Sequence, residues 1–583
     1  MQIAKKSGEA AKISSPFQPG NKNNQFLEPT LKTCKTSKKM KLKQTFPFLV
    51  ITCCLLFNSC NNSDDFHSSG YCSSKNSNVL FEETMVLGEK LNNPYSISNM
   101  QLAYDSLMNM TYPEHLTTER LMPNCLYVRF LPRDSAEIAT LQDMDVELFE
   151  YPLDYDIEVE GDLYRDPNIP EDQMTWYYTT VKPDFVFPSI EYQILEECYI
   201  PVLSEGQSSN LKVDPLELEL LAIKIADLPE KYQPVAESKA FGFGKKPEGT
   251  IKVMNDNTGV AETLRGVKIR CHYFVNISNC YTNENGYYKI NNCYVCNPHY
   301  AIVFNNIKGF VIWGNYAFIA AANHNLGYQS NAGYSTTVQA SSNGWKWAVI
   351  NNAAYDYYKQ CTIQNINTPP SDLRIWCWPN ATSSSAPMLH HLFGVNCTGF
   401  AAQLVSILIT GAVTPAAAII SAAGMVVSLG LPDITIGMSS SYVDKSPNHG
   451  YTEHYHVVWH ELTHASHFRQ AGETLWGPYI NYIVTNGGYG DGSSTSTGRN
   501  ICELGESWAY ANESIKAGCN PSNLTNEWFY DGCNGIYNIL YNDILTKKQM
   551  YDCLTSDVKS ISDFKAKLIE MYPSKTSEIN AQL

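Results

Sequence analysis

Two histidines four residues apart, with a glutamate directly after the first, commit this chain to an α-helix at His460-Glu461-Leu462-Thr463-His464. On a helix, positions i and i+4 project from one face about 40° apart, so both imidazoles can reach one metal ion. The glutamate beside them is then placed to take a proton from water at that ion. The flanking residues support the helix. Val457, Val458, Leu462, Ala465 and Phe468 recur at helical spacing, and Gly472 supplies a C-terminal stop. The predicted helix spans 452–471, after a strand over 433–438 and a polar loop over 439–450.

A catalytic zinc takes three protein ligands and keeps one position for water, so a further ligand must come from elsewhere. A second predicted helix, 501–516, carries Cys502-Glu503-Leu504-Gly505-Glu506-Ser507-Trp508-Ala509-Tyr510. The Gly-rich loop 487–498 ahead of it lets it fold back antiparallel. Together the histidine motif and Gly505-Glu506-Ser507-Trp508-Ala509 resemble the gluzincin branch of zinc metallopeptidases, over about residues 433–516. The resemblance implies one catalytic Zn2+ held by His460, His464 and Glu506, with Glu461 as general base and a protein or peptide as substrate.

Two rivals for the third ligand stand beside Glu506. Glu503 lies one turn earlier near the same face, and Asp491, in Tyr489-Gly490-Asp491-Gly492, resembles the aspzincin pattern. Many gluzincins orient a ligand histidine with an aspartate four residues after the ligand glutamate. Tyr510 occupies that position here, so the contact is changed or supplied elsewhere; Tyr510 is also a candidate oxyanion donor. His467 shares the face of His460 but lies about 10 Å along the axis, and His456 is one turn before it; both are expected outside the ligand set. A histidine pair packed without metal is the plainer alternative, and the downstream glutamate helix argues against it.

The chain's 583 residues imply roughly three domains, and its 44% hydrophobic and 12% aromatic content indicates packed structure. The fold class expected is multidomain α+β. Lys41 and Lys43 precede an apolar run, 46–57, that ends at Asn58-Ser59-Cys60, the pattern of a secretory signal. Cys60 resembles the acylated cysteine of bacterial lipoproteins, with Phe57 and Asn58 departing from the usual box. Membrane attachment through a lipid on Cys60, and export to a bacterial, outer-membrane surface, follow as expectations. Residues 1–59 are read as an upstream extension (1–39) and signal peptide, and 60–78 as a tether. Without 1–59 the body carries a net charge of −24, which argues against nucleic-acid partners.

Residues 79–228 read as an acidic α/β domain, with strands over 126–131 and 146–151 and helices over 135–142 and 215–226, the last capped by Asp214. The 14 acidic residues of 134–172 lack calcium-loop spacing and are expected to form a solvated face. A linker, 229–249, leads to a small β-sandwich, 250–322, in which Asn285-Gly286 signals a tight hairpin. Its pattern from Gly249 through Gly266-Val267-Lys268-Ile269 to Tyr287 resembles transthyretin-like modules, which implies a stabilising or positioning role. Residues 323–583 are expected to be a mostly helical, zincin-like catalytic domain, with 399–431 as buried helices rather than a membrane span. The 14 cysteines beyond Cys60 suggest disulfides of undetermined pairing. The competing functional class is a non-enzymatic surface binding or adhesion lipoprotein with a degenerate metal site.

Overall fold

In chain order the N-terminal region forms strand β1 (Val86–Lys90), helix α1 (Ile97–Thr111), β2 (Cys125–Leu131), α2 (Ser135–Asp143), β3 (Tyr155–Val159), β4 (Tyr177–Val181), β5 (Glu191–Cys198) and α3 (Pro215–Ala226). The computed structural model describes residues 84–112, 120–133, 135–169, 174–203, 211–234, 244–314, 321–377, 384–394, 432–437, 450–486, 488–521 and 527–583. Cys60, the signal and tether, the run 399–431 and most of the loop 439–450 lie outside these residues. β1 pairs with β3, and β2 is the centre of an antiparallel sheet ordered β4-β2-β5. The two-residue period of β2 serves two cores. Leu126, Val128 and Phe130 face a small cluster with Leu141 of α2, while Cys125 and Tyr127 face the main core. α3 starts where its sequence predicts, with Asp214 Oδ1 accepting from Leu216 N at 2.7 Å and Glu217 N at 3.3 Å.

The predicted strand over 146–151 does not form. Only Phe149 makes a bridge, to Tyr178, and its neighbours turn outward to other partners. Glu147 pairs with Lys268 at 3.0 Å and Arg270 at 3.4 Å, and the Tyr151 hydroxyl lies 3.0 Å from His272 Nε2. The acidic run is likewise more than a solvated face. Asp154 pairs with Lys90 at 3.2 Å, Asp156 with Lys231, and Glu160 with His299 at 2.9 Å. Glu147 and Glu160 dock the N-terminal region onto Lys268, Arg270 and His299 of the following sheet, whereas Asp154 and Asp156 pair with lysines outside it.

That sheet belongs to a set of strands β6 (Glu248–Asn255), β7 (Val260–Thr263), β8 (Val267–Tyr273), β9 (Asn276–Tyr281), β10 (Tyr287–Lys289), β11 (His299–Asn306), β12 (Phe310–Trp313), β13 (Asn323–Tyr328), β14 (Thr336–Val338), β15 (Leu373–Trp376) and β16 (Ile434–Thr435). One sheet runs β10-β6-β14, with β7 also on β6; the other runs β16-β15-β12-β11-β8-β9, with β13 on β11. The sandwich therefore extends past residue 322. β13 to β16 join it, and β15 pairs parallel with β12 through a crossover containing helix α4 (Asn343–Gln364). The Asn285-Gly286 turn forms, with Gly286 N donating to Asn283 O at 2.9 Å, but β9 pairs with β8 and β10 with β6. The turn joins two sheets rather than one hairpin.

The remaining helices are α5 (Leu389–Gly394), α6 (Tyr451–Ala471), α7 (Glu473–Asn486), α8 (Thr497–Ala517), α9 (Cys533–Tyr541), α10 (Lys547–Tyr551), α11 (Ile561–Met571) and α12 (Thr576–Gln582). The main core is continuous from Met85 to Ile579, so the N-terminal region, the sandwich and the helices share one buried interior. A cavity of about 10 Å³ lies where Glu150 and Asp162 meet Arg270, Asn323 and Asn325, room for one water and not for a peptide. No helix among the described residues is long and apolar enough to cross a membrane. Twelve cysteines lie among the described residues, and nine of them are buried.

Candidate metal centre

The helix carrying the histidine pair is capped by the sandwich. Gly450 has no side chain to cap α6, and Asp256 Oδ1 accepts from Tyr451 N while Asn257 Oδ1 accepts from Thr452 N, each at 2.7 Å. A Cβ on Gly450 would fall 2.3 Å from that Asp256 oxygen. The helix ends at Gly472, whose φ of 79° suits glycine, and whose N–H donates to Phe468 O at 2.8 Å. From Val458 to Phe468 every residue of α6 is buried, polar ones included. α8 supplies partners for the two histidines, while the Thr463 hydroxyl donates to Trp459 O and the Ser466 hydroxyl to Asn367 O.

α8 starts at the Ser496 cap, whose hydroxyl accepts from Arg499 N at 3.3 Å, and ends at Gly518. The chain returns to it through α7, which the sequence reading did not resolve. His460 meets Glu513, whereas His464 lies beside Gly505, where an added Cβ would stand 3.9 Å from the ring. α6 and α8 therefore run antiparallel, as the Gly-rich connection suggested.

Three ligand atoms converge between these helices. His460 Nε2 and His464 Nε2 are 3.1 Å apart; Glu506 places one oxygen 3.3 Å from the first and the other 3.4 Å from the second. A tetrahedral ion with bonds of about 2.0–2.1 Å sets its ligand atoms about 3.3 Å apart. The three separations fit that edge. All three residues are buried, and they form the one group of this kind found among the described residues. The site thus fits a divalent ion of the first transition row, held by two imidazoles and a carboxylate.

The protonation states suit a ligand set. Burial alone would push the Glu506 carboxyl up, but the His464 and His460 imidazoles outweigh it and hold the group well below the usual carboxylate range. Burial pushes His464 down, with Glu506 opposing. An ionised carboxylate beside a neutral imidazole is the form that binds metal.

Two supporting residues were missed by the sequence reading. Glu513 Oε2 lies 3.0 Å from His460 Nδ1, and the Tyr479 hydroxyl donates to Glu506 Oε1. Glu513 therefore makes with His460 the contact that position 510, occupied by Tyr510, is expected to lack. Its position seven residues after Glu506, two turns along one face, is a signal the sequence does carry. Tyr479 comes from α7, and no spacing points to it.

The other predicted residues separate clearly. Glu461 is fully buried, directly after His460 on α6. The Tyr510 ring stands edge-on to His460, centroids 6.3 Å apart, and packs on Tyr530. Glu503 is not in the group: it pairs with Arg499 one turn away. Asp491 is exposed and accepts from Ser493 N at 3.0 Å, apart from the histidines. His467 is fully buried against Trp476, neither a ligand nor a surface group, and burial with nearby His464 pushes it down to about 3. His456 is half-buried and lowered by burial. No family model, no curated protein and no solved structure matches this chain.

Proposed function

We propose that this chain is an exported, lipid-anchored metallopeptidase that hydrolyses peptide bonds at a zinc site formed by His460, His464 and Glu506. The observation that carries the reading is the convergence of two imidazole nitrogens and a carboxylate at 3.1–3.4 Å, with Glu461 adjoining on the same helix. Zinc bound there would acidify a water and polarise the scissile carbonyl. The chain's own groups do the rest. Glu461 accepts the proton of the attacking water and returns it to the leaving amine. Glu513 accepts from His460 Nδ1–H, which fixes the tautomer that leaves Nε2 free to ligate. Tyr479 holds the Glu506 carboxylate in place.

The second reading, a non-enzymatic surface binding protein, draws on one feature: His460, His464, Glu461 and Glu506 are each no more than 4% exposed. A metal that only braces α6 against α8 requires no opening for a substrate. A peptide-library digest by the zinc-loaded chain separates the two readings. Wild type should cleave, and Glu461→Gln should lose at least about a hundredfold of that rate at unchanged zinc content. Equal cleavage by both removes the assignment of Glu461, and no cleavage by wild type favours the binding reading.

A further inference from the structure

We propose that Cys125 of β2 and Cys198 of β5 form a disulfide, closed during folding by transfer from a disulfide-bearing oxidoreductase. The two residues are register partners at the end of the β2–β5 ladder. Directly opposed antiparallel residues have Cα atoms about 4.5–5.5 Å apart and side chains on one face, within the span of about 4.4–6.8 Å that a disulfide bridges. Both side chains face the main core, and the residues are 7% and 0% exposed. Asn93 Nδ2 approaches the Cys198 sulfur at 3.5 Å, which holds that side chain in place. Other cysteines on the described strands lack this match. Cys271 opposes Ser278 on β9, and Cys280 opposes Ile269 on β8.

The chemistry balances as a thiol–disulfide exchange. One cysteine thiolate attacks the donor's disulfide and forms a mixed disulfide; the second displaces the donor, which leaves as a dithiol carrying the two electrons. In the folded chain burial raises both thiols, Cys125 to about 11 and Cys198 beyond the ordinary range, with the neighbouring Cys125 adding to the latter. Folded thiols are therefore poor nucleophiles, so the bond closes before the sheet is sealed and then resists reductants. Its place explains its use. β5 is an edge strand of its sheet among the described residues, bridged at Cys198 by Ser96, and beyond Cys198 Tyr199 N donates to Tyr95 O at 2.9 Å beside the Ser96 cap of α1. The bond closes a loop of about 70 residues and pins that edge.

Persistence of the bond in the cell rests on the export proposed above; its formation does not, so the test is made outside the cell. The full chain is unfolded and refolded in a glutathione redox buffer, quenched with N-ethylmaleimide and digested without reductant. The expected product joins the Cys125 and Cys198 peptides, lighter than their sum by two hydrogens and carrying no label. Both peptides labelled, or either joined elsewhere, overturns the pairing. As a second measurement, Cys125→Ser and Cys198→Ser should each lower Tm by a few degrees and the double variant no further. Additive losses would overturn it too. Mapping the chain recovered from its producing cells then reports on export separately.

Discussion

Glu513 decides how firmly His460 can serve a metal. Its carboxylate at 3.0 Å from Nδ1 orients the ring and raises the basicity of Nε2, whereas His464 Nδ1 has no hydrogen-bond partner among the described residues. The two histidines are therefore unequally supported. Glu513→Ala should weaken zinc affinity about 10–100-fold, measured by chelator competition, while Glu513→Gln, which keeps an acceptor oxygen, should recover part of it. At this scale the sequence was informative where chemistry follows from spacing. His460, His464 and Glu506 are brought together, and Glu503 is excluded because Arg499, four residues before it, claims its carboxylate. Tyr479 was not legible, because its approach to Glu506 depends on the packing of α7, which no local pattern encodes.

Among the elements, α6 shows how the sandwich serves the site. The β6–β7 turn supplies the cap that Gly450 cannot, Trp345 of α4 donates to Met254 O at 2.6 Å, and Asp356 ties Arg265 to Tyr455 of α6. Removing the carboxylate in Asp256→Ala should cost about 1–2 kcal/mol of unfolding free energy. Gly450→Ala displaces the same carboxylate, so the two losses should not add in a denaturant titration. Element boundaries set by local signals were well read: α3 with its Asp214 cap, α6 with its Gly472 stop, and β2. Elements defined by distant partners were not. β13 begins Asn323-His324-Asn325 and has no apolar alternation, and it exists because β11 offers an edge. The 146–151 segment has strand-like residues but spends them on Lys268, Arg270 and His272, more than a hundred positions away.

For the molecule as a whole, the continuous core imposes a pH dependence through Glu219. This carboxylate of α3 is 1% exposed and accepts from the Tyr95 hydroxyl. Burial raises it from an ordinary 4.5 to about 7, with that hydrogen bond opposing. The folded chain holds a proton there that the unfolded chain releases, so this contribution to stability is complete below about pH 4.5 and is lost as pH rises through about 7. Glu219→Gln should match wild type near pH 4.5 and exceed it at pH 8 by about 3 kcal/mol in unfolding free energy. Acidity was plain in the composition; which carboxylates are docked or buried was not, because that depends on chain segments meeting across the core.

Equilibrium dialysis against zinc tests the central claim most directly, on wild type beside Glu506→Ala and Glu503→Ala. The account predicts one tight site per chain in wild type and in Glu503→Ala, and loss of that site in Glu506→Ala. Equal binding by all three, or no tight site in wild type, would contradict it.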